Sequence, residues 1–243
     1  MAEIIIHKYK DIDLKGATVV NGFPSLGLVS TITANYLIGA LNLDQIGALD
    51  SDAFPPVSMI YASKPKFPAR IYADEKTKMV VFLSEFTPLP KVVRPIARTM
   101  LSWAKEHYCS RIVAPEVLSV KGVGRELKVF GVGSTDSSRE ELKRHRIMPF
   151  VQGMVSGISG ILLNEGRRAD FDVVALLAQA RPGMPDARAA AKIIEVIDRL
   201  VPTIKVDVEP LYEEAGRIEE YVRKLREQAK PATEPSSPIN MYR

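Results

Sequence analysis

Short apolar runs rich in branched residues alternate with longer segments of helical periodicity along most of this chain, and that alternation predicts a sheet covered by helices. Strands are expected at Ile4–Ile6, Ala17–Val20, Val57–Ala62, Ala69–Tyr72, Met79–Ser84, Arg111–Ala114, Leu127–Val132 and Phe171–Ala178. Turn-forming Gly, Pro and Asn punctuate them. The apolar run ending at Ala178 indicates a strand buried on both faces. Helices are expected at Ser30–Leu41, Pro90–His107, Ser137–His145, Gly157–Glu165 and Asp186–Leu200. In the second helix Val92, Val93, Ile96, Ala97, Met100, Leu101 and Ala104 share the broad face that a core-facing helix needs, and Pro95 falls in the first turns, where a missing amide is tolerated. Links between Val57 and Ser84 are too short for helices, so some antiparallel pairing, and hence a mixed sheet, is expected.

A last helix is expected over Val208–Gln228, with Leu211, Ala215, Ile218, Val222 and Leu225 at alternating intervals of four and three. That seam suits either packing on the parent domain or contact between subunits. Beyond it Lys230-Pro231-Ala232-Thr233-Glu234-Pro235-Ser236-Ser237-Pro238 has the composition of an extended linker. The expected organisation is therefore an α/β domain over 1–207, a helix over 208–228 and a tail over 229–243 that ends Ile239-Asn240-Met241-Tyr242-Arg243.

Composition narrows the function classes. With 46% apolar and 26% charged residues the 243-residue chain is an ordinary soluble globular protein. A single Cys109 excludes an internal disulfide, and no Cys/His cluster has the spacing of a zinc site, so a reducing cytoplasm and no metal or cofactor are expected. The start lacks the features of a secretory leader, and no run approaches the ~20 apolar residues that span a bilayer, so no membrane partner is expected. Formal charge is +4, but the basic residues are scattered among carboxylates. The one cluster, Lys143-Arg144-His145-Arg146, reads as a solvated helix end, so nucleic acid is not an expected partner.

Between a strand and a helix lies Asn21-Gly22-Phe23-Pro24-Ser25-Leu26-Gly27-Leu28-Val29. A glycine turn there can expose amides to an anion, yet the spacing fits neither the dinucleotide fingerprint nor the phosphate loop, and a purely structural turn is the other reading. This strand, turn and helix resemble the opening of the proteasome assembly chaperone family, in an archaeal-type form. Ala34-Asn35-Tyr36-Leu37-Ile38, the strand leading to Asp52-Ala53-Phe54-Pro55-Pro56, and Phe82-Leu83-Ser84-Glu85 before a Pro-rich helix start extend the likeness over roughly residues 1–200. The resemblance implies a three-layer α/β/α fold with a mixed sheet, related to nucleoside-phosphorylase-like domains. It further implies a homo-oligomer, engagement of proteasome α-subunits, and no enzymatic chemistry.

The terminus Met241-Tyr242-Arg243 matches the hydrophobic-Tyr-any pattern used by proteasome activators. A tail of this kind offers its carboxylate to a basic side chain in a pocket between adjacent α-subunits of the core particle. By resemblance Met241 fills an apolar site, Tyr242 packs and biases the gate toward opening, and Arg243 supplies the carboxylate. The rival reading is an enzyme of nucleoside-phosphorylase or hydrolase type, with an anion at the Gly22–Gly27 turn and Glu85 or Glu116 as acid or base. Against it, neither glutamate has a recognisable partner, and His7, His107 and His145 are widely separated. Lys121-Gly122-Val123-Gly124 and Gly131-Val132-Gly133-Ser134 flank a strand, and their glycines suit ligand loops or turns equally well.

Overall fold

Branched, apolar segments supply the strands β1 (Ile5–Lys8), β2 (Thr18–Gly22), β3 (Asp44–Asp50), β4 (Met59–Tyr61), β5 (Lys64–Lys66), β6 (Ala69–Asp74), β7 (Met79–Ser84), β8 (Arg111–Ser119), β9 (Val129–Gly133), β10 (Met148–Pro149) and β11 (Val173–Ala180). All but β4 and β5 assemble into one nine-stranded sheet in the order β1-β3-β6-β7-β2-β8-β11-β9-β10. The structure, a computed structural model, describes residues 3–120, 127–180 and 185–216. Its central strands β7, β2, β8 and β11 run parallel. On one side β6, β3 and β1 continue antiparallel, and on the other β9 pairs antiparallel with β11 and β10 parallel with β9. The sheet is therefore mixed, as the short links foretold.

Successive residues of a strand face opposite sides, and each side of the sheet has its own helices. Val20, Val81, Val113, Val174 and Leu176 pack with α1 (Val29–Ala40) and α5 (Ala187–Leu200). Val19, Val80, Phe82, Ile112 and Val173 pack with α2 (Pro90–Glu106) and α4 (Gly157–Ala169). Burial on both faces is what allows β7 and β11 to be apolar nearly throughout. Helix α3 (Asp136–Arg144) lies on β9, contributes Leu142 to the α1/α5 side, and ends in the basic cluster. Cationic side chains at a helix C-terminus meet the negative end of its dipole.

Three expectations change. The strand expected to stop at Ala114 continues to Ser119, through a proline. Pro115 has no amide to donate, but β2 pairs with β8 only as far as Val113, so the proline sits where one neighbour has already left. The strand expected over Val57–Ala62 is the shorter β4, which pairs with β5 as a separate ribbon. Gly133 ends β9 rather than lying in a turn, and α3 lies so close to it that a Cβ there would come 2.4 Å from Ser138 Oγ. Gly122 and Gly124 fall outside the described residues.

Candidate functional site

The C-terminal ends of the parallel strands gather the polar groups that the sequence singled out. Asn21, buried near the end of β2, accepts a hydrogen bond from the Phe23 amide at 3.3 Å and donates from Nδ2 to Ser159 Oγ at 3.2 Å. Ser159, in the first turn of α4, donates to Glu116 Oε1 at 2.6 Å. On the other side of the turn Ser30 donates to the Phe23 carbonyl at 2.7 Å, and its Oγ lies 3.0 Å from that of Ser25. Burial pushes the Glu116 carboxyl up to about 7, against the opposing hydrogen bonds of Ser159 and Ser25. This network ties β2, β8 and α4 together with the turn between them.

The turn has a structural reason for its glycine. A Cβ at Gly22 would lie 2.3 Å from Ala34 Cβ and 2.7 Å from the Phe82 carbonyl oxygen, so α1 crosses β2 in contact with its backbone. Leu26–Leu28 forms a single 3-10 turn in which Gly27 and Leu28 are left-handed, at φ 68° and 52°. The Gly27 carbonyl then accepts from the Asp186 amide at 3.2 Å, joining the turn to the start of α5. An anion held here would lie close to the Glu116 carboxyl, an unfavourable pairing once that group is charged.

Glu85, the other candidate acid or base, is clamped. Arg70 meets it with Nη2–Oε1 at 2.8 Å and Nη1–Oε2 at 3.1 Å, and donates to the Phe67 carbonyl at 2.9 Å. Only 2% of the Arg70 side chain and 14% of that of Glu85 are exposed. Tyr61, at the end of β4, donates to Glu85, and the guanidinium sits 5.1 Å from its ring centroid and 5.8 Å from that of Tyr72. The pair thus fastens the β4–β5 ribbon onto the sheet. Sequence reading missed Arg70; an arginine amid the apolar run Ala69–Tyr72 was the available signal, since a charge placed in a core requires a partner. Nothing local in Ser159 announced its role. His7 stacks on Phe67 and His107 on Trp103, while His145 follows α3, so the three histidines stay apart.

Met241, Tyr242 and Arg243 lie outside the described residues, as do Ile218, Val222 and Leu225. The helix from which they follow is described over 209–216. There Leu211 and Ala215 are buried with α1 and α5, so this part of the seam packs on the parent domain. Tyr212 donates to Glu195 at 2.6 Å, Tyr36 donates to the Asp207 carbonyl at 2.7 Å, and the Val206 amide donates to Asp198 at 2.9 Å. Among the described residues no group of three or more His, Cys, Asp or Glu is placed to hold a metal ion, and no helix is long and apolar enough to cross a membrane.

Comparison with known proteins gives this architecture a lineage. An uncharacterized protein of Methanocaldococcus jannaschii is 29% identical over 219 residues, covering 89% of this chain and 88% of the relative. The crystal structure of Pyrococcus furiosus PbaA, an archaeal homolog of proteasome-assembly chaperone, superposes with a TM-score of 0.84 at 29% identity, covering 93% of this chain and 92% of that one. Pyrococcus furiosus PbaB, an archaeal proteasome activator, shares the fold with a TM-score of 0.82 at 21% identity, covering 93% of this chain and 100% of that one. The PAC2 family matches residues 19–226, from the second residue of β2 past the last described helix, and the chain belongs to that family, the proteasome assembly chaperone family.

Proposed function

We propose that this protein binds the proteasome core particle through Met241, Tyr242 and Arg243, whose carboxyl end enters pockets between α-subunits and favours opening of the gate. One observation carries the reading: helix 209–216 is rooted on the α1/α5 surface by Leu211, Ala215 and Tyr212, and the chain continues from there to a hydrophobic-Tyr-any terminus. The 15 residues of 229–243 reach at most ~50 Å when extended, enough to carry a terminus away from a folded domain. Family membership and the likeness to a homolog of proteasome-assembly chaperone support a proteasome partner. The domain acts as a holder, in the manner of an assembly chaperone or an activator, and association of several copies presents several tails at once. Involvement of Glu85 with Arg70, and of Glu116 with Ser159, agrees with a binding role rather than catalysis at the strand ends.

The test is capture of core particles by the full-length protein, by a form lacking 241–243 and by Tyr242→Ala, with peptide hydrolysis measured in parallel. Full-length protein is expected to bind and to stimulate hydrolysis, and both altered forms to lose the two effects. Equal binding and stimulation by Tyr242→Ala would refute the tail reading. Binding retained without 241–243 would move the contact to the folded domain.

A further inference from the structure

On the face of the sheet opposite the root of the tail, α2 and α4 lie side by side, and two arginines of α2 and one of α4 surround a carboxylate of α4 at their seam. Glu165 of α4 has only 6% of its side chain exposed. Arg98 donates to it from Nε at 2.8 Å, and Arg168 from Nε at 2.8 Å, with Nη2 2.7 Å away. Arg94, one turn before Arg98, comes no nearer than 3.7 Å. All three guanidinium groups stand at the surface, with side-chain exposures of 55% for Arg94, 49% for Arg98 and 73% for Arg168.

One arginine would neutralise Glu165, and two supply the hydrogen bonds seen. The third adds charge that the fold does not require, leaving the cluster with a net charge of +2 by count of Arg94, Arg98, Arg168 and Glu165. Each guanidinium has five N–H donors in a fixed fork, so most of the donors in the cluster face solvent. Because Glu165 already holds Arg98 and Arg168 on the seam, less side-chain entropy is lost when a further acceptor arrives. Lys91 and Arg167, both exposed, extend the positive surface along the same two helices, whereas exposed Glu106 and Asp170 follow near the helix ends. Such interruptions suit separate carboxylates better than the continuous polyanion of a nucleic acid, which binds by neutralising a run of phosphates.

We propose that the α2–α4 seam is a docking site for an acidic polypeptide segment, one of whose carboxylates is taken by Arg94 together with Arg98. Glu165 shows that this cluster receives a protein carboxylate: it accepts from Arg98 and Arg168, while Arg94 stands 3.7 Å away without a hydrogen bond to it. Since this surface and the root of the tail lie on opposite sides of the sheet, an acidic partner can occupy it while the terminus engages elsewhere. The site stands independently of the tail reading.

The test is fluorescence anisotropy with the full-length protein and a labelled hexaglutamate peptide at low salt, folding of each variant being checked by circular dichroism. Arg94→Gln is expected to weaken binding by about tenfold, the size of one charge-assisted fork, and Arg94→Lys to restore part of the loss. Lys64→Gln, which removes the same charge from the β4–β5 ribbon, is expected to leave affinity unchanged. Equal loss from Lys64→Gln and Arg94→Gln would reduce the effect to overall charge and overturn the proposal. So would displacement of the peptide by inorganic phosphate or by a single-stranded oligonucleotide as readily as by unlabelled hexaglutamate. None of these outcomes touches core-particle binding by the tail, which is read separately.

Discussion

Glu116 and Arg70 show how single residues bias this fold toward rigidity at the ends of its central strands. Glu116 is held up to about 7 from an ordinary 4.5, so the folded protein binds that proton more tightly than the unfolded chain does. Its contribution favours folding below about pH 4.5 and is lost as the pH rises toward 7, a swing of roughly 3 kcal/mol at 1.36 kcal/mol per unit. Glu116→Gln, which keeps an acceptor for Ser159, is therefore expected to show a smaller decline in Tm between pH 5 and pH 8 than the parent. Calorimetric scans at the two pH values check this, and an identical decline would rule out Glu116 as its source. For Arg70 and Glu85 the expectation concerns coupling. Arg70→Leu alone leaves Glu85 without its counter-charge and is expected to cost about 3–5 kcal/mol, whereas Arg70→Leu with Glu85→Leu costs well below the sum of the two single changes. Urea denaturation of the three variants gives the comparison, and simple additivity would contradict it.

At the level of elements, close approach governs the turn that opens the domain. Gly22→Ala places a methyl 2.3 Å from Ala34 Cβ and 2.7 Å from the Phe82 carbonyl, so α1 or β7 must move. The expected loss is about 1–3 kcal/mol. Gly39, exposed near the end of the same helix, would carry a methyl with nothing within 4 Å of it, and Gly39→Ala is expected to gain roughly 0.5–1 kcal/mol through helix propensity. Opposite signs in thermal or urea denaturation are the outcome to look for. The last helix depends on Leu211, which is 3% exposed among residues of α1 and α5. Leu211→Ala removes buried side-chain volume, expected to cost about 2–4 kcal/mol locally, and hydrogen exchange in 209–216 should quicken well before that of β2 or β11. Exchange rising equally in all three would show that this helix does not open on its own.

For the whole molecule, the relevant quantity is how many termini one particle presents. A single short tail must lose conformational entropy on docking, while copies held together raise the effective concentration of each successive tail. Full-length protein is thus expected to bind core particles at least ~10-fold more tightly than a peptide of residues 230–243. Light scattering would establish whether copies associate, and equal affinities for peptide and protein would remove the avidity argument. The helices α1 to α5 were legible from length, composition and turn punctuation, and in α2 also from apolar residues at three- and four-residue spacing, which have few other ways to be buried at once. The strands from Met79 to Ser84 and from Val173 to Ala180 were legible because burial on both faces makes each apolar at all but one position. What the strands paired with was not legible. Two-residue β10 and the β4–β5 ribbon lie below the length at which a pattern is recognisable, and the extension of β8 through Pro115 depends on where β2 ends. Sequence by itself determined the alternation of elements, the apolar seam and the family to which the order of motifs belongs, because these are properties of neighbours along the chain. Tertiary structure alone decided that Arg70 answers Glu85, that Ser159 reaches Glu116 and that Arg98 of α2 reaches Glu165 of α4, because each partnership joins residues apart in sequence that only the packing of helices and strands brings within hydrogen-bonding distance.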